Sequence, residues 1–252
     1  MRPLESGKYR KYGQVFLKDR NMAMFEATLF DINDDTSILE IGPGEGSLTG
    51  FLLQSGARVT AVESDHRFVQ YLEEKFSEDI SSGKLNLIKG DFLKIGGMSV
   101  DAIFGNIPYS ISSPILFSLN RFTFSKCILM VQAEFARRMV AAKGTGDYSR
   151  LSVSTQLRYR ARIERKVPRN CFSPIPEVDS AIITLTPLNQ HKESELKAVE
   201  DVIKEMFSHR RKKIGSIYKD SPEEIHEKRV EDLSPEEIFS FAASVAKPWS
   251  SP

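Results

Sequence analysis

Four consecutive residues, Asn106-Ile107-Pro108-Tyr109, have the types needed for chemistry on a flat ring bearing an exocyclic amine. Such an amine is a poor nucleophile because its lone pair is delocalised into the ring. Acceptors that take its two hydrogens pull it towards a tetrahedral shape. The Asn106 side-chain oxygen and a backbone carbonyl at Ile107 or Pro108 can do this, while Pro108 fixes the turn and removes a competing N–H. Tyr109 can stack on the ring. Upstream, Glu40 to Thr49 reads EIGPGEGSLT, in which the apolar run Ser37 to Ile41 stops at Gly42, Gly44 and Gly46 and a helix with Leu48, Phe51 and Leu52 on one face begins. Strand, glycine turn and helix N-terminus make a nucleotide-sized crevice. Two acids complete it. Glu63, about twenty residues past the glycines, has the position from which a carboxylate accepts both ribose hydroxyls. Asp91, in Gly90-Asp91-Phe92-Leu93, can accept an adenine amino group, with Phe92 packed on the ring face.

The spacing separates two nucleoside ligands. A dinucleotide site wants G-x-G-x-x-G, but the third glycine position, counted from Gly44, is Ser47. Glu40 and Glu45, which bracket the turn, suit a sulfonium ligand with a free α-amino group better than a pyrophosphate. The expected cofactor is therefore S-adenosylmethionine, and the reaction an in-line displacement in which positioning contributes most and no strong base is required.

These residues must be held by strand ends. Apolar runs at Ser37–Ile41, Arg58–Val62, Leu85–Ile88, Val100–Phe104 and Cys127–Val131 alternate with helical patterns. The helices run from the glycines to Gly56, from His66 to about Phe76, over Ser113–Leu119, and over Ala133–Ala142, which carries Arg137 and Arg138. The pattern predicts an α/β fold, a doubly wound Rossmann-like sheet of mainly parallel strands with right-handed crossovers. Before it, Gly7 to Asp19 is basic and aromatic; Gln14-Val15-Phe16-Leu17 is apolar enough to pack back near the crevice. Arg20 to Phe30 reads as a helix in which Met24, Ala27, Leu29 and Phe30 are apolar. Later, Tyr148–Tyr159 and Ala181–Leu185 read as β-rich strands around a basic segment. Beyond Pro187–Gln190 the chain is helical and charged: Glu193–Phe207, the quartet Arg210-Arg211-Lys212-Lys213, and two helices opened by Ser-Pro-Glu-Glu at Ser221 and Ser234. The domains are expected to be 1–188, the cofactor domain, and 189–252, a small helical RNA-binding domain.

Composition removes other classes. The 252 residues are 40% hydrophobic and 27% charged, with a net charge of +1, so contacts to nucleic acid must come from local clusters. Such clusters occur at Arg158, Arg160, Arg162, Arg165, Lys166 and Arg169, and at Arg210 to Lys213; arrays of this kind neutralise phosphates. Cys127 and Cys171 lie too far apart to imply a disulfide framework, and the four histidines are scattered, so no metal is expected. Neither a signal peptide nor a membrane span is evident, and a cytoplasmic location is expected.

The chain resembles the small-subunit ribosomal RNA adenine dimethyltransferases. The resemblance rests on GQVFL at Gly13, EIGPGEGSLT, VESD at Val62, GDFL at Gly90, NIPYSISSPI at Asn106, VQAEFARRM at Val131, GDYSRLSV at Gly146 and FSPIPEVDS at Phe172. It implies transfer of methyl groups from S-adenosylmethionine to the N6 amines of two adjacent adenosines in a 3′-terminal rRNA hairpin. It also implies a monomer that acts on an immature small subunit. By resemblance, Gln14, Val15, Leu17, Glu40, Gly42, Gly44, Glu63, Asp91, Phe92 and Asn106 bind the cofactor. Asn106, Pro108 and Tyr109 handle the target amine, and Phe172 supplies a second aromatic face to a flipped adenine. Arg137, Arg138, Arg158, Arg160, Arg162, Arg165, Lys166, Arg210, Arg211 and Lys212 face RNA. Val15 stands where family members usually carry Asn or His, and Ile107 where Leu is commoner. The neighbouring classes are the large-subunit rRNA adenine methyltransferases of macrolide resistance, DNA adenine methyltransferases, which usually show an acid-Pro-Pro-aromatic tetrad, and a non-catalytic rRNA-binding assembly factor.

Overall fold

The computed structural model describes residues 16–246. Gln14 and Val15, with the basic start of the chain, lie outside the described residues. Two compact units are formed among the described residues, one from 16–133 together with 163–185, the other from 134–162 together with 186–246.

The first unit contains the parallel strands β2 (Ser37–Ile41), β3 (Arg58–Glu63), β4 (Leu85–Lys89), β5 (Ala102–Asn106) and β6 (Lys126–Gln132). With β9 (Ser180–Pro187) and β7 (Tyr159–Val167) they form a seven-stranded sheet in the order β4-β3-β2-β5-β6-β9-β7. β9 pairs antiparallel with β6. Burial on both faces explains the continuous apolar runs: Ile38, Leu39, Ile103, Phe104, Ile128 and Leu129 are all inaccessible or nearly so. The helices are α1 (Arg20–Ala27), α2 (Ser47–Gln54), α3 (His66–Lys75), α4 (Ser77–Ser81) and α5 (Ser112–Ser118). Parallel pairing brings the carboxyl ends to one edge. Ile41 lies opposite Val62 and Gly105, Glu63 opposite Lys89, and Asn106 opposite Met130. The short strand β1 (Phe16–Leu17) pairs antiparallel with β8 (Phe172–Ser173), which sets Leu17 opposite Phe172.

One expectation needs correction, and two features go beyond the sequence pattern. Tyr148–Tyr159 is not β-rich: α7 (Arg150–Gln156) occupies its middle, and the basic segment after it is the strand β7. The Ser149 amide donates to Ser152 Oγ at 3.0 Å, closing the first turn. Leu151 to Thr155 are all buried, so tertiary burial overrides the strand preference of Val153 and Thr155. On α1 the buried face is Ala23, Glu26 and Ala27, whereas Met24 is 49% exposed. Finally, residues 134–162 group with the C-terminal helices, whereas the sequence reading puts them with the cofactor domain.

The second unit comprises α6 (Ala133–Val140, from Glu134), α7, α8 (Glu193–Ser208), α9 (Ile214–Ile217), α10 (Glu223–His226) and α11 (Pro235–Val245). Its core joins Val153, Leu196, Ile203, Met206, Leu233 and Phe241 around Tyr148. The α11 start signal works as expected: Ser234 Oγ accepts from the Glu237 amide, and Glu237 Oε2 accepts from the Ser234 amide. The Tyr148 hydroxyl, fully buried, donates to the Leu233 carbonyl at 2.9 Å. Tyr148→Phe orphans that carbonyl, so urea denaturation should show a loss of about 1–2 kcal/mol.

Candidate active site

The cleft at the carboxyl edge of the sheet lies within the first unit and encloses about 1190 Å³ of space open to solvent. Leu17, Glu40, Gly42, Gly44, Glu63, Asp91, Phe92, Asn106, Pro108, Tyr109 and Phe172 all line it. Eleven of the expected cofactor and substrate residues therefore meet around one space.

The glycine turn forms one wall. Gly42 and Gly44 have φ of 65° and 55°, and a Cβ on Gly42 would project into open space. That is the cradle a closely approaching ligand needs. Gly46 caps α2 at φ 72°, where a Cβ would lie 2.5 Å from the Phe76 ring and 2.9 Å from Leu72, so the turn can pack on α3 only with glycine there.

At the tip of β3, Glu63 Oε2 accepts from the Gly44 amide at 3.1 Å and Oε1 from the Asp65 amide at 2.8 Å. A carboxylate has lone pairs beyond those these amides take, so it can still accept from the hydroxyls of a ribose. Asp91 uses Oδ1 to cap the turn after it, accepting from the Leu93 amide at 3.0 Å. Phe92 is buried and stacked on Phe122, with centroids 5.2 Å apart and an interplanar angle of 13°. Glu40 is 2% exposed, and its Oε2 has no hydrogen-bond partner. Burial first, then the charge of Glu63, raise its carboxyl to about 7, against partial relief from Thr49 and Lys75. Burial also raises Glu63. Buried carboxylates short of cationic partners match a ligand that carries a sulfonium and an α-ammonium group, so the donor set fits S-adenosylmethionine.

Across the cleft, Asn106 ends β5 and Pro108 leads into a 3-10 turn over Tyr109–Ile111. The Tyr109 hydroxyl and Ser180 Oγ are 2.9 Å apart, which ties the ring to β9. Phe172 is buried beside the same cleft. Asn106 also has a partner that the sequence reading missed. In the amide orientation that satisfies its hydrogen bonds, Nδ2 donates to Glu26 Oε1 at 2.8 Å and Oε2 at 3.2 Å. Glu26 comes from α1 and is 1% exposed. The signal available for it was an acid at helical spacing between Ala23 and Ala27, on the face that turns inward.

The ribosomal RNA adenine dimethylase family model matches residues 6–245. The chain belongs to that family. Relatives with similar sequences include the probable ribosomal RNA small subunit methyltransferase A of Methanospirillum hungatei, 38% identical over 232 residues that cover 90% of each chain. The protein of the same name from Methanosarcina acetivorans is 38% identical over 248 residues, or 92% of this chain and 91% of its own. Among solved structures, a dimethyladenosine transferase from Plasmodium falciparum superposes with a TM-score of 0.76 at 27% identity, covering 90% of this chain and 95% of that one. The 23S rRNA methyltransferase ErmE gives 0.71 at 29% identity, covering 92% and 99%. The chain is thus a Rossmann-like, S-adenosylmethionine-dependent methyltransferase of a family that acts on rRNA adenine.

The basic residues are not equally free. Arg158, whose side chain is 8% exposed, bonds Glu193 and Glu200. Arg210 pairs with Glu231, Lys166 with Asp179, and Arg137 with Asp147 at 3.8 Å. The Arg165 guanidinium lies 3.6 Å from the centre of the Phe25 ring. Arg138 is half-buried, whereas Arg160, Arg162, Arg211 and Lys212 are exposed. Arg160 and Arg162, two apart on β7, point to one side of the strand. Among the described residues no group of three or more His, Cys, Asp or Glu could hold a metal ion, and no helix is long and apolar enough to cross a membrane.

The raised Glu40 carboxyl fixes the sign of a pH effect. A group that binds its proton more tightly when folded stabilises the fold below its ordinary value of 4.5 and loses that contribution as pH climbs through about 7. Apoprotein should therefore lose stability over this window, by up to about 3 kcal/mol from Glu40. Thermal melts of Glu40→Gln across the same window should show a flatter dependence than wild type.

Proposed function

We propose that this protein transfers methyl groups from S-adenosylmethionine to the N6 amines of two adjacent adenosines in the 3′-terminal hairpin of small-subunit rRNA, with a second role in subunit assembly. The observation that carries this reading is the meeting of Asn106, Pro108 and Tyr109 with Gly42, Gly44 and Glu63 around one cleft. The names of the similar proteins, small-subunit methyltransferases and a dimethyladenosine transferase, support the choice of RNA.

Glu63 would hold the ribose and Asp91 the adenine amino group, with Phe92 and Leu17 packing on the cofactor. Glu40 would compensate its positive end. Bound there, the cofactor supplies an activated methyl group. The protein's own part is positioning: Asn106 Oδ1 and a main-chain carbonyl at Ile107 or Pro108 take the amine hydrogens of the target base, so that its lone pair faces the donor. Tyr109 and Phe172 clasp the flipped ring, and the Ser180 contact holds Tyr109 in its rotamer. Exposed arginines and lysines, Arg160, Arg162, Arg211 and Lys212, would meet phosphates, and the helical domain from residue 189 onward would read folded RNA by shape. We place the reaction in the cytoplasm, carried out by a monomer on an immature small subunit.

The direct test is incubation with labelled S-adenosylmethionine and immature small subunits, followed by mass mapping of modified nucleotides; two adjacent dimethylated adenosines are expected. Asn106→Ala should leave cofactor affinity within about threefold and abolish transfer. Glu63→Ala should weaken cofactor binding at least tenfold in calorimetry, about 1.4 kcal/mol. Replacing Arg160 and Arg162 together by alanine should lower the slope of log affinity against log salt by about one to two, measured by filter binding of the rRNA hairpin.

A further inference from the structure

A carboxylate inside an apolar core is costly unless it is paired or hydrogen-bonded. Glu26 projects from α1 into the main core of the first unit between Ala23 and Ala27, where an aliphatic side chain would pack without penalty. Its contact with Asn106 is therefore the feature that accounts for an acid at this position. Asn106 in turn is the residue on which acceptance of the target amine depends. Its amide has two unlike ends, and only the oxygen end can accept from an amine. Which end faces the cleft is decided by what holds the other.

We propose that Glu26 is a positioning residue for methyl transfer: its carboxylate takes the Asn106 Nδ2 hydrogens from behind and thereby keeps Oδ1 turned to the target amine. The assignment rests on the proposed methyltransferase reading of the cleft. The geometry is two-pronged, 2.8 Å to Oε1 and 3.2 Å to Oε2. An ionised carboxylate is an acceptor only, so it admits one orientation of the amide. A neutral carboxyl has both a donor and an acceptor and is satisfied by either. Orientation is thus enforced by the charged form and relaxed by the neutral one.

Burial raises the Glu26 carboxyl well above its ordinary value, the Asn106 hydrogen bond opposes this, and the charge of Glu40 on β2 adds to it. Glu40 itself faces Glu63 on β3, Thr49 on α2 and Lys75 on α3. Proton occupancy of Glu26 therefore responds to this whole set, and acidification turns off the enforced orientation. The consequence is an acid limb in kcat that does not belong to any group in contact with the amine.

Glu26→Gln, nearly isosteric and uncharged, is the test, with Glu26→Leu as a second variant that holds neither end of the amide. With full-length protein and immature small subunits, both should bind S-adenosylmethionine within about threefold of wild type but show kcat reduced at least tenfold near pH 8, and Glu26→Gln should lack the acid limb of the wild-type pH profile. A readout independent of activity is the 15N-labelled side-chain amide of Asn106. Its signals should titrate with pH in the wild type and stay fixed in Glu26→Gln. Wild-type kcat and an unchanged acid limb in Glu26→Gln would overturn the proposal, as would an Asn106 amide that is indifferent to the substitution. Failure of wild-type protein to transfer any methyl group would instead reject the proposed function, and the amide signals would still decide whether Glu26 orients Asn106.

Discussion

Concentration of carboxyl groups in a poorly solvated place is the constraint around which this structure is arranged. Glu26, Glu40 and Glu63 come from three different elements, are all nearly inaccessible, and each has its carboxyl pushed upward by burial. Main-chain amides at Gly44 and Asp65 and the Asn106 side chain offset part of the cost. No arginine reaches them in an ion pair among the described residues, and Lys75 acts on Glu40 only through its field. Glu40 and Glu63, which line the cleft, are poised for a ligand of opposite charge, and a cationic methyl donor meets that requirement where a pyrophosphate would not.

The sheet makes this arrangement possible because parallel strands put all their carboxyl ends on one side. That much was legible in the sequence. The glycine turn, the acid at the end of β3, Gly90-Asp91 and the tetrad from Asn106 each announce a strand end by an apolar run that stops at a turn residue. They converge because the strands lie parallel and in register. Less legible was anything decided by tertiary contact. Leu151 to Thr155 carry the β-branched and small residues of a strand, yet they form a helix because burial rewards it. Glu26 hid in plain view, since a single acid in an amphipathic helix is ordinarily taken for part of the solvated face, and its spacing from Ala23 and Ala27 is a weak signal until the direction of α1 is known. The pairing of Arg158 with Glu193 and Glu200 could not be read from a count of basic residues either, because the acids lie 35 and 42 positions further along.

Charge is handled differently in the second unit. There the acids and bases are mostly surface partners, as in Lys143 with Glu237 and Arg210 with Glu231, and the polar groups taken inside are neutral hydroxyls, those of Tyr148, Ser152, Ser154 and Thr155. Pairs of this sort contribute little to stability individually. Their effect is to occupy some of the cations and leave others, such as Arg211 and Lys212, open to an outside anion.

The two-rung ladder between β1 and β8 has its own implication. Leu17 and Phe172 are far apart in the chain but share a backbone pairing, and both contribute to the wall of the cleft. One belongs to the half assigned to the donor, the other to the half assigned to the base. The backbone pairing ties the two rungs together, so a displacement of Leu17 is carried to Phe172. Four residues of extended chain thus stitch together two walls of one cleft that the sequence keeps more than 150 positions apart.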